Sequence, residues 1–177
     1  MRSRNKRDFC ADDVASRMIG TLVRLFARRE PAISEASPAD AAAIAALHAA
    51  SFNRGWSAEE IERLLVERNV VAHRALAGAR LVAFILSRLV AGEAEILSVA
   101  VAARERSRGV ARRMLDMHLR RLAHLGARAV FLEVGEDNEP ARRLYRAASF
   151  REVGRREAYY QERGGAGTAA LVLRCDL

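Results

Sequence analysis

Four stretches in the middle of the chain are dense in Val, Leu, Ile and Ala over strand length: residues 70–75, 81–89, 95–101 and 129–134. Ala77-Gly78 and Ala91-Gly92 separate the first three, which predicts antiparallel hairpins. Between the third and the fourth the period changes. Met114, Leu115, Leu119 and Leu122 recur at helical spacing within residues 108–125, and Gly126 follows as a stop. Strand, long helix and buried strand in that order predict a parallel pair joined by a right-handed crossover. Upstream, residues 32–36 read as a short strand. Ser37 before Pro38 opens a helix through residue 50, with Ile44 and Leu47 on its inner face. Residues 52–56 make a turn. Ser57, with Glu60 three places on, is a capping box for a second helix whose apolar side is Ile61, Leu64 and Leu65. A short helix over 139–148 and strands over 150–157 and 169–174 complete an α+β (mixed α/β) domain, its mixed sheet flanked by helices.

Residues 1–31 stand apart from this domain, which occupies 32–177. The first segment holds eight of the basic residues and four acidic ones, so its excess is half of the chain's net charge of +8. Val14, Met18, Leu22, Leu25 and Phe26 fall at helical spacing, with Arg17, Arg24 and Arg28 between them. That pattern fits a basic amphipathic helix for a surface or partner. It fits equally a loosely docked appendage, or a chain whose proper start is Met18. The length of 177 residues suits one domain with an appendage, and the hydrophobic share of 51% suffices for a core.

The 30 basic residues include a single lysine, Lys6. This arginine bias has two readings, an Ala/Arg-rich composition and an anionic partner such as a phosphorylated cofactor. No aromatic-interleaved basic stripe is present, so no specific nucleic acid is expected as partner. No apolar run reaches the length of a membrane span, and the start lacks a secretory pattern. Cys10 and Cys175 lie far apart with no Cys/His cluster, and His48, His73, His118 and His124 show no ligand spacing. The expectation is a cytoplasmic protein, monomer or weak dimer, with no metal.

The chemistry starts at Arg106-Ser107-Arg108-Gly109-Val110-Ala111-Arg112, where a strand feeds through an arginine-rich loop into a helix. A helix start offers free N–H groups and partial positive charge, which suit a phosphate. Gly109 lets an anion approach the backbone, and Arg106, Arg108 and Arg112 add charged donors. The loop alone is a weak signal, equally a solvated helix start.

Its neighbours in order carry more. Residues 94–101 (AEILSVAV), Arg106-x-x-Gly109-x-Ala111, Phe131-Leu132-Glu133-Val134, Asn138, Leu144-Tyr145 and Phe150 together resemble the GCN5-related N-acetyltransferase (GNAT) family. The likeness spans residues 33–173. The LEV…N…LY stretch and Trp56 lean towards its ribosomal-protein-alanine acetyltransferases of the RimI type. The resemblance implies a splayed sheet with acetyl-CoA wedged in the gap. Val99, Ala100 and Val101 would receive the pantetheine arm and the acetyl carbonyl. Arg106, Ser107, Arg108, Gly109, Val110, Ala111 and Arg112 would hold the pyrophosphate, and Asn138 would be a further cofactor contact. It makes Glu133 the general base and Tyr145 the general acid. Ser149 departs from the family, where Gly commonly precedes the Phe, and this puts the local turn in question.

Physical chemistry supports these roles from its own side. An ammonium cannot attack a thioester until it loses a proton. Glu133 interrupts an otherwise apolar strand, where loss of solvent makes a carboxylate a better proton acceptor. A strand-end Glu paired with a surface Arg is the other reading of this residue, and a core tyrosine that of Tyr145. Phe52 and Trp56 in the first interhelical turn, and Tyr159 and Tyr160 after a late strand, are candidate walls for the acceptor. An α-amino group titrates near about 8 and a lysine near about 10.4, so a carboxylate base suits a protein N-terminus better. The expected acceptor is therefore a protein N-terminal α-amine, a ribosomal protein's among them. A small amine, and a non-catalytic acyl-CoA-binding or ribosome-associated module, stay open.

Overall fold

The computed structural model describes residues 30–160 and 168–177, the side chains of 158–160 and 168 excepted. Cys10 and the amphipathic segment over 14–26 lie outside the described residues. Strand β1 (Ala32–Glu35) leads into a 3-10 turn at Pro38–Asp40 and helix α1 (Ala41–Ala49). The Asp40 carboxylate turns back to accept the Ser37 N–H at 2.8 Å. Helix α2 (Ala58–Val66) begins with the expected capping box: Ser57 Oγ accepts the Glu60 N–H at 3.2 Å, and Glu60 accepts the Ser57 N–H at 2.7 Å. Strands β2 (Val70–Ala77), β3 (Arg80–Val90) and β4 (Glu93–Val101) follow as antiparallel hairpins, each slightly longer than its apolar run.

Helix α3 (Val110–His124) starts two residues later than its apolar stripe suggests. Ser107 and Gly109 both take positive φ, 58° and 75°, which breaks the helical path before Val110. Strand β5 (Ala129–Gly135), helix α4 (Glu139–Ala147), and strands β6 (Arg151–Tyr160) and β7 (Thr168–Asp176) complete the described chain.

The seven described strands form one sheet in the order β1-β2-β3-β4-β5-β7-β6. β4 and β5 are the parallel pair, and the insertion of β7 between β5 and β6 is a pairing that no local sequence signal announces. Two apolar clusters cover the two faces. Val82, Ile85, Met114, Leu115, Leu122, Leu132 and Val134 pack on the α3/α4 face. Ile44, Ile61, Phe84, Leu86 and Ala100 pack on the α1/α2 face.

Helix α4 ends in a turn that the sequence leaves in question. Ser149 adopts φ 66° after all, so serine takes the left-handed position usual for glycine. The Ser149 N–H bonds to the Arg146 carbonyl and the Phe150 N–H reaches back to that of Tyr145, at 3.1 and 3.0 Å. This is a Schellman closure, and its usual apolar contact is the edge-on packing of Phe150 on Tyr145 at 5.5 Å. A side chain in the left-handed region costs about 1 kcal/mol that glycine avoids. Ser149→Gly is therefore expected to raise stability by about 1 kcal/mol in urea unfolding. Equal or lower stability would show that serine is not strained there.

Candidate active site

The parallel seam is short. β4 and β5 pair only at Glu93–Ala129, Ala94–Val130 and Glu95–Phe131. Beyond these three pairs β4 runs on to Val101 along β3, and β5 to Gly135 along β7. The strands part, and the β4 backbone at Val99, Ala100 and Val101 has no strand on its β5 side. An extended polar chain laid in this opening would find peptide groups to bond.

The anion loop stands at the far end of β4. The first bond of helix α3 runs from the Arg113 N–H to the Gly109 carbonyl at 3.1 Å. The N–H groups of Val110, Ala111 and Arg112 therefore have no acceptor within the helix. A Cβ built on Gly109 meets no atom within 4 Å, so glycine here serves a φ of 75° and keeps the outer side of the loop clear. These features fit a phosphate.

The arginines are less free than their sequence position suggests. Arg106 Nε donates to the Val101 carbonyl at 2.9 Å, which ties the loop to the end of β4. Arg108 pairs with Glu105 at 2.9 Å. Glu105 is 4% exposed and sits in a 3-10 turn at Ala103–Glu105. Arg112 holds Asp116 at 3.0 Å and the Ala147 carbonyl of α4 at 2.5 Å. Arg106 and Arg108 brace the loop, Arg112 joins α3 to α4, and the backbone N–H groups remain as the ready donors. Glu105 carries no local signal, because a Glu among arginines reads as surface.

Glu133 and Tyr145 lie on opposite faces of the sheet. Leu132 and Val134 belong to the α3/α4 cluster, so alternation turns Glu133 to the α1/α2 face. Its side chain is 21% exposed and pairs with Arg156 at 3.1 Å. Glu133 thus interrupts an apolar strand while half-buried, and it is ion-paired with an arginine. Tyr145 is 5% exposed within the α3/α4 cluster. Burial pushes its hydroxyl up to about 12, above the ~8.5 of an ordinary thiol. Such a phenol keeps its proton and acts as a hydrogen-bond donor more readily than as a full acid.

Asn138 caps α4, its Oδ1 accepting the Ala141 N–H at 3.2 Å. Phe52 is 42% exposed and Trp56 half-buried in the turn between α1 and α2. The side chains of Tyr159 and Tyr160 lie outside the described residues. Reasoning from sequence passed over His48, which stacks on both Phe52 and Trp56 at ring distances of 4.4 and 4.7 Å.

Residues 41–150 match the acetyltransferase (GNAT) family. The chain belongs to that family. Its domain is thus an acetyltransferase of the acetyl-CoA-dependent kind. Solved structures agree in fold. The ribosomal-protein-S18-alanine N-acetyltransferase of Escherichia coli superposes with a TM-score of 0.76 at 22% identity, over 82% of this chain and 93% of that one. Arabidopsis thaliana NAA60 in complex with a bisubstrate analogue gives 0.75 at 20%, over 82% and 97%. At these identities the likeness speaks for the fold alone. An uncharacterized protein of Mycobacterium leprae (strain TN) is 42% identical over 72 residues, covering 41% of this chain and 19% of that protein. The match thus spans about a fifth of that relative. Among the described residues no helix is long and apolar enough to cross a membrane.

Proposed function

We propose that residues 32–177 move an acetyl group from acetyl-CoA to the α-amine of a protein N-terminus, by direct transfer without a covalent enzyme intermediate. The observation that carries this reading is the opening between β4 and β5, with a carboxylate facing one side of the sheet and a phenol buried on the other. When bound, acetyl-CoA supplies an acetyl thioester, an electrophile with a thiolate leaving group. Ser107, Arg108, Gly109, Val110, Ala111 and Arg112 hold the pyrophosphate through backbone N–H groups, and Arg106 fixes the loop to β4. Val99, Ala100 and Val101 bond the extended arm and aim a peptide N–H at the acetyl oxygen, where negative charge develops. Asn138 adds a polar contact at the start of α4.

Glu133 takes the proton of the incoming ammonium, directly or through water. Arg156, 58% exposed, holds the same carboxylate by an ion pair with which the arriving cation competes. Tyr145 donates a hydrogen bond towards the sulfur. Phe52 and Trp56, with Tyr159 and Tyr160, wall the acceptor. A peptide terminus as acceptor is supported by the titration argument, since an α-amine gives up its proton more readily than lysine. The fold shared with an S18-alanine acetyltransferase and with NAA60 agrees with it. A ribosomal protein's alanine terminus is the first acceptor to try.

The test is acetyl-CoA turnover against a panel of N-terminal peptides and small amines. Peptides are expected to give the highest kcat/KM, with α-acetylation confirmed by mass spectrometry. Turnover confined to small amines overturns the acceptor. Tight acetyl-CoA binding with no turnover at all would make the domain a binding module.

A further inference from the structure

His48 lies in the last turn of α1 and is 4% exposed, yet nothing in the transfer chemistry uses it. Its ring lies nearly parallel to Trp56, 14° apart at 4.7 Å, and tilted against Phe52 at 4.4 Å. Beneath it is Phe84 of β3, at 6.1 Å. Nδ1 of His48 accepts the backbone N–H of Trp56 at 3.2 Å. The His48 carbonyl accepts the N–H groups of Ser51 and Phe52 at 2.9 and 3.0 Å. One residue thus binds the turn at both ends, through its ring and through its backbone. The turn also folds tightly back on its helix, since a Cβ on Gly55 would lie 3.0 Å from the Ala49 Cβ.

This mooring has a place in the site. Phe84 pairs with Ala100 across β3 and β4, and Trp56 packs into the cluster that holds both. The turn is therefore fastened over the parted stretch of β4, on the face to which Glu133 points. An Nδ1 that accepts leaves the proton on Nε2, so the mooring needs the neutral ring. Burial lowers the pKa of His48 and favours that form, against the opposing pull of Glu60.

We propose that His48 is the positioning residue of the acceptor side: it sets Phe52 and Trp56 as the apolar wall against which the first side chain of the incoming peptide packs. This rests on the peptide N-terminus as acceptor. It implies a preference for apolar or small leading residues over acidic ones, because a carboxylate would lose water against two aromatic rings and gain no partner.

Three variants of the full chain test it with acetyl-CoA and an N-terminal peptide. His48→Phe keeps a ring and removes the acceptor atom, His48→Asn keeps an acceptor and removes the ring, and Phe52→Ala trims the exposed wall. Each is expected to raise the peptide KM about tenfold, the weight of about one hydrogen bond or ring contact, with kcat and the acetyl-CoA KM within about twofold. Thermal unfolding is followed alongside. Peptide KM unchanged in Phe52→Ala overturns the proposal. So does a parallel loss of kcat, both KM values and thermal midpoint in both His48 variants, which would mark a purely structural histidine. Absence of peptide turnover in the wild type would instead remove the acceptor reading, and His48's part in it.

Discussion

Glu133→Gln is expected to lower kcat by about 10²–10⁴-fold, the usual weight of a general base, while acetyl-CoA binds as before. The amide keeps the shape of the side chain and loses its basicity. Its place explains why binding should be spared: Glu133 faces the α1/α2 side, whereas the anion loop lies beyond the far end of β4. The rival account is that Glu133 is present for its ion pair with Arg156. A half-exposed pair of this kind contributes up to about 1 kcal/mol. Arg156→Gln breaks the same pair without touching the carboxylate, and is expected to change kcat less than about tenfold. Stopped-flow or steady-state kinetics of both variants decide the matter. Equal losses in the two would assign Glu133 a structural task, and a wild-type rate for Glu133→Gln would remove it from proton transfer.

The second large effect is loss of stability in mild acid. His73 of β2, His118 of α3 and Ser87 of β3 form a buried chain: His118 Nδ1 meets His73 Nδ1 at 2.8 Å, and its Nε2 meets Ser87 Oγ at 2.7 Å. Neutral rings satisfy it in either direction: Ser87 donates to His118 and His118 to His73, or His73 donates to His118 and His118 to Ser87. Burial, with a smaller push from His73, drives the pKa of His118 down to about 3 from 6.5. That of His73 is lowered too, chiefly by burial, with Glu35 opposing and Arg121 adding.

The sign follows from which state takes up the proton. Above pH 6.5 the ring of His118 is neutral folded and unfolded, and costs nothing. Between 6.5 and about 3 the unfolded chain is protonated and the folded one is not. Each pH unit in that window then removes about 1.4 kcal/mol from this group. Going from pH 6.5 to 4.5 takes about 3 kcal/mol from a total of order 5–15. Urea titrations at a series of pH values are expected to show that slope, and His118→Gln to flatten it while being less stable at pH 7. A variant with the wild-type slope would place the acid sensitivity elsewhere.

Much of this molecule is legible locally. Ser57 with Glu60, the paired residues at each hairpin, and the stripe from Met114 to Leu122 each fix an element from a few neighbours. The order of strand, loop, helix and strand is the observed order of β4, the loop at 106–112, α3 and the β5 that carries Glu133. Other features depend on distant pairings. The place of β7 beside β5 is set by pairs of residues distant in sequence, such as Leu132 with Leu173, 41 residues apart. His73 meets His118 across 45 residues, so four histidines without metal spacing gave no hint of a chain. The arginines of the loop illustrate a further limit. Composition shows how many charges are present, and only the fold shows that Glu105, Asp116 and two carbonyls already engage them.

The three-pair seam between β4 and β5 has one more consequence. Most sheets hide their sticky margins at the outer rim, where charges, bulges or covering helices blunt them. Here two such margins lie in the interior, facing each other across a gap, along strands rich in Val, Ile and Leu. Whatever spans that gap during turnover also shields those margins from a stranger's strand. On the proposed reading the acetyl donor fills that gap, so the ligand-free chain is expected to be the form more open to pairing with a second strand.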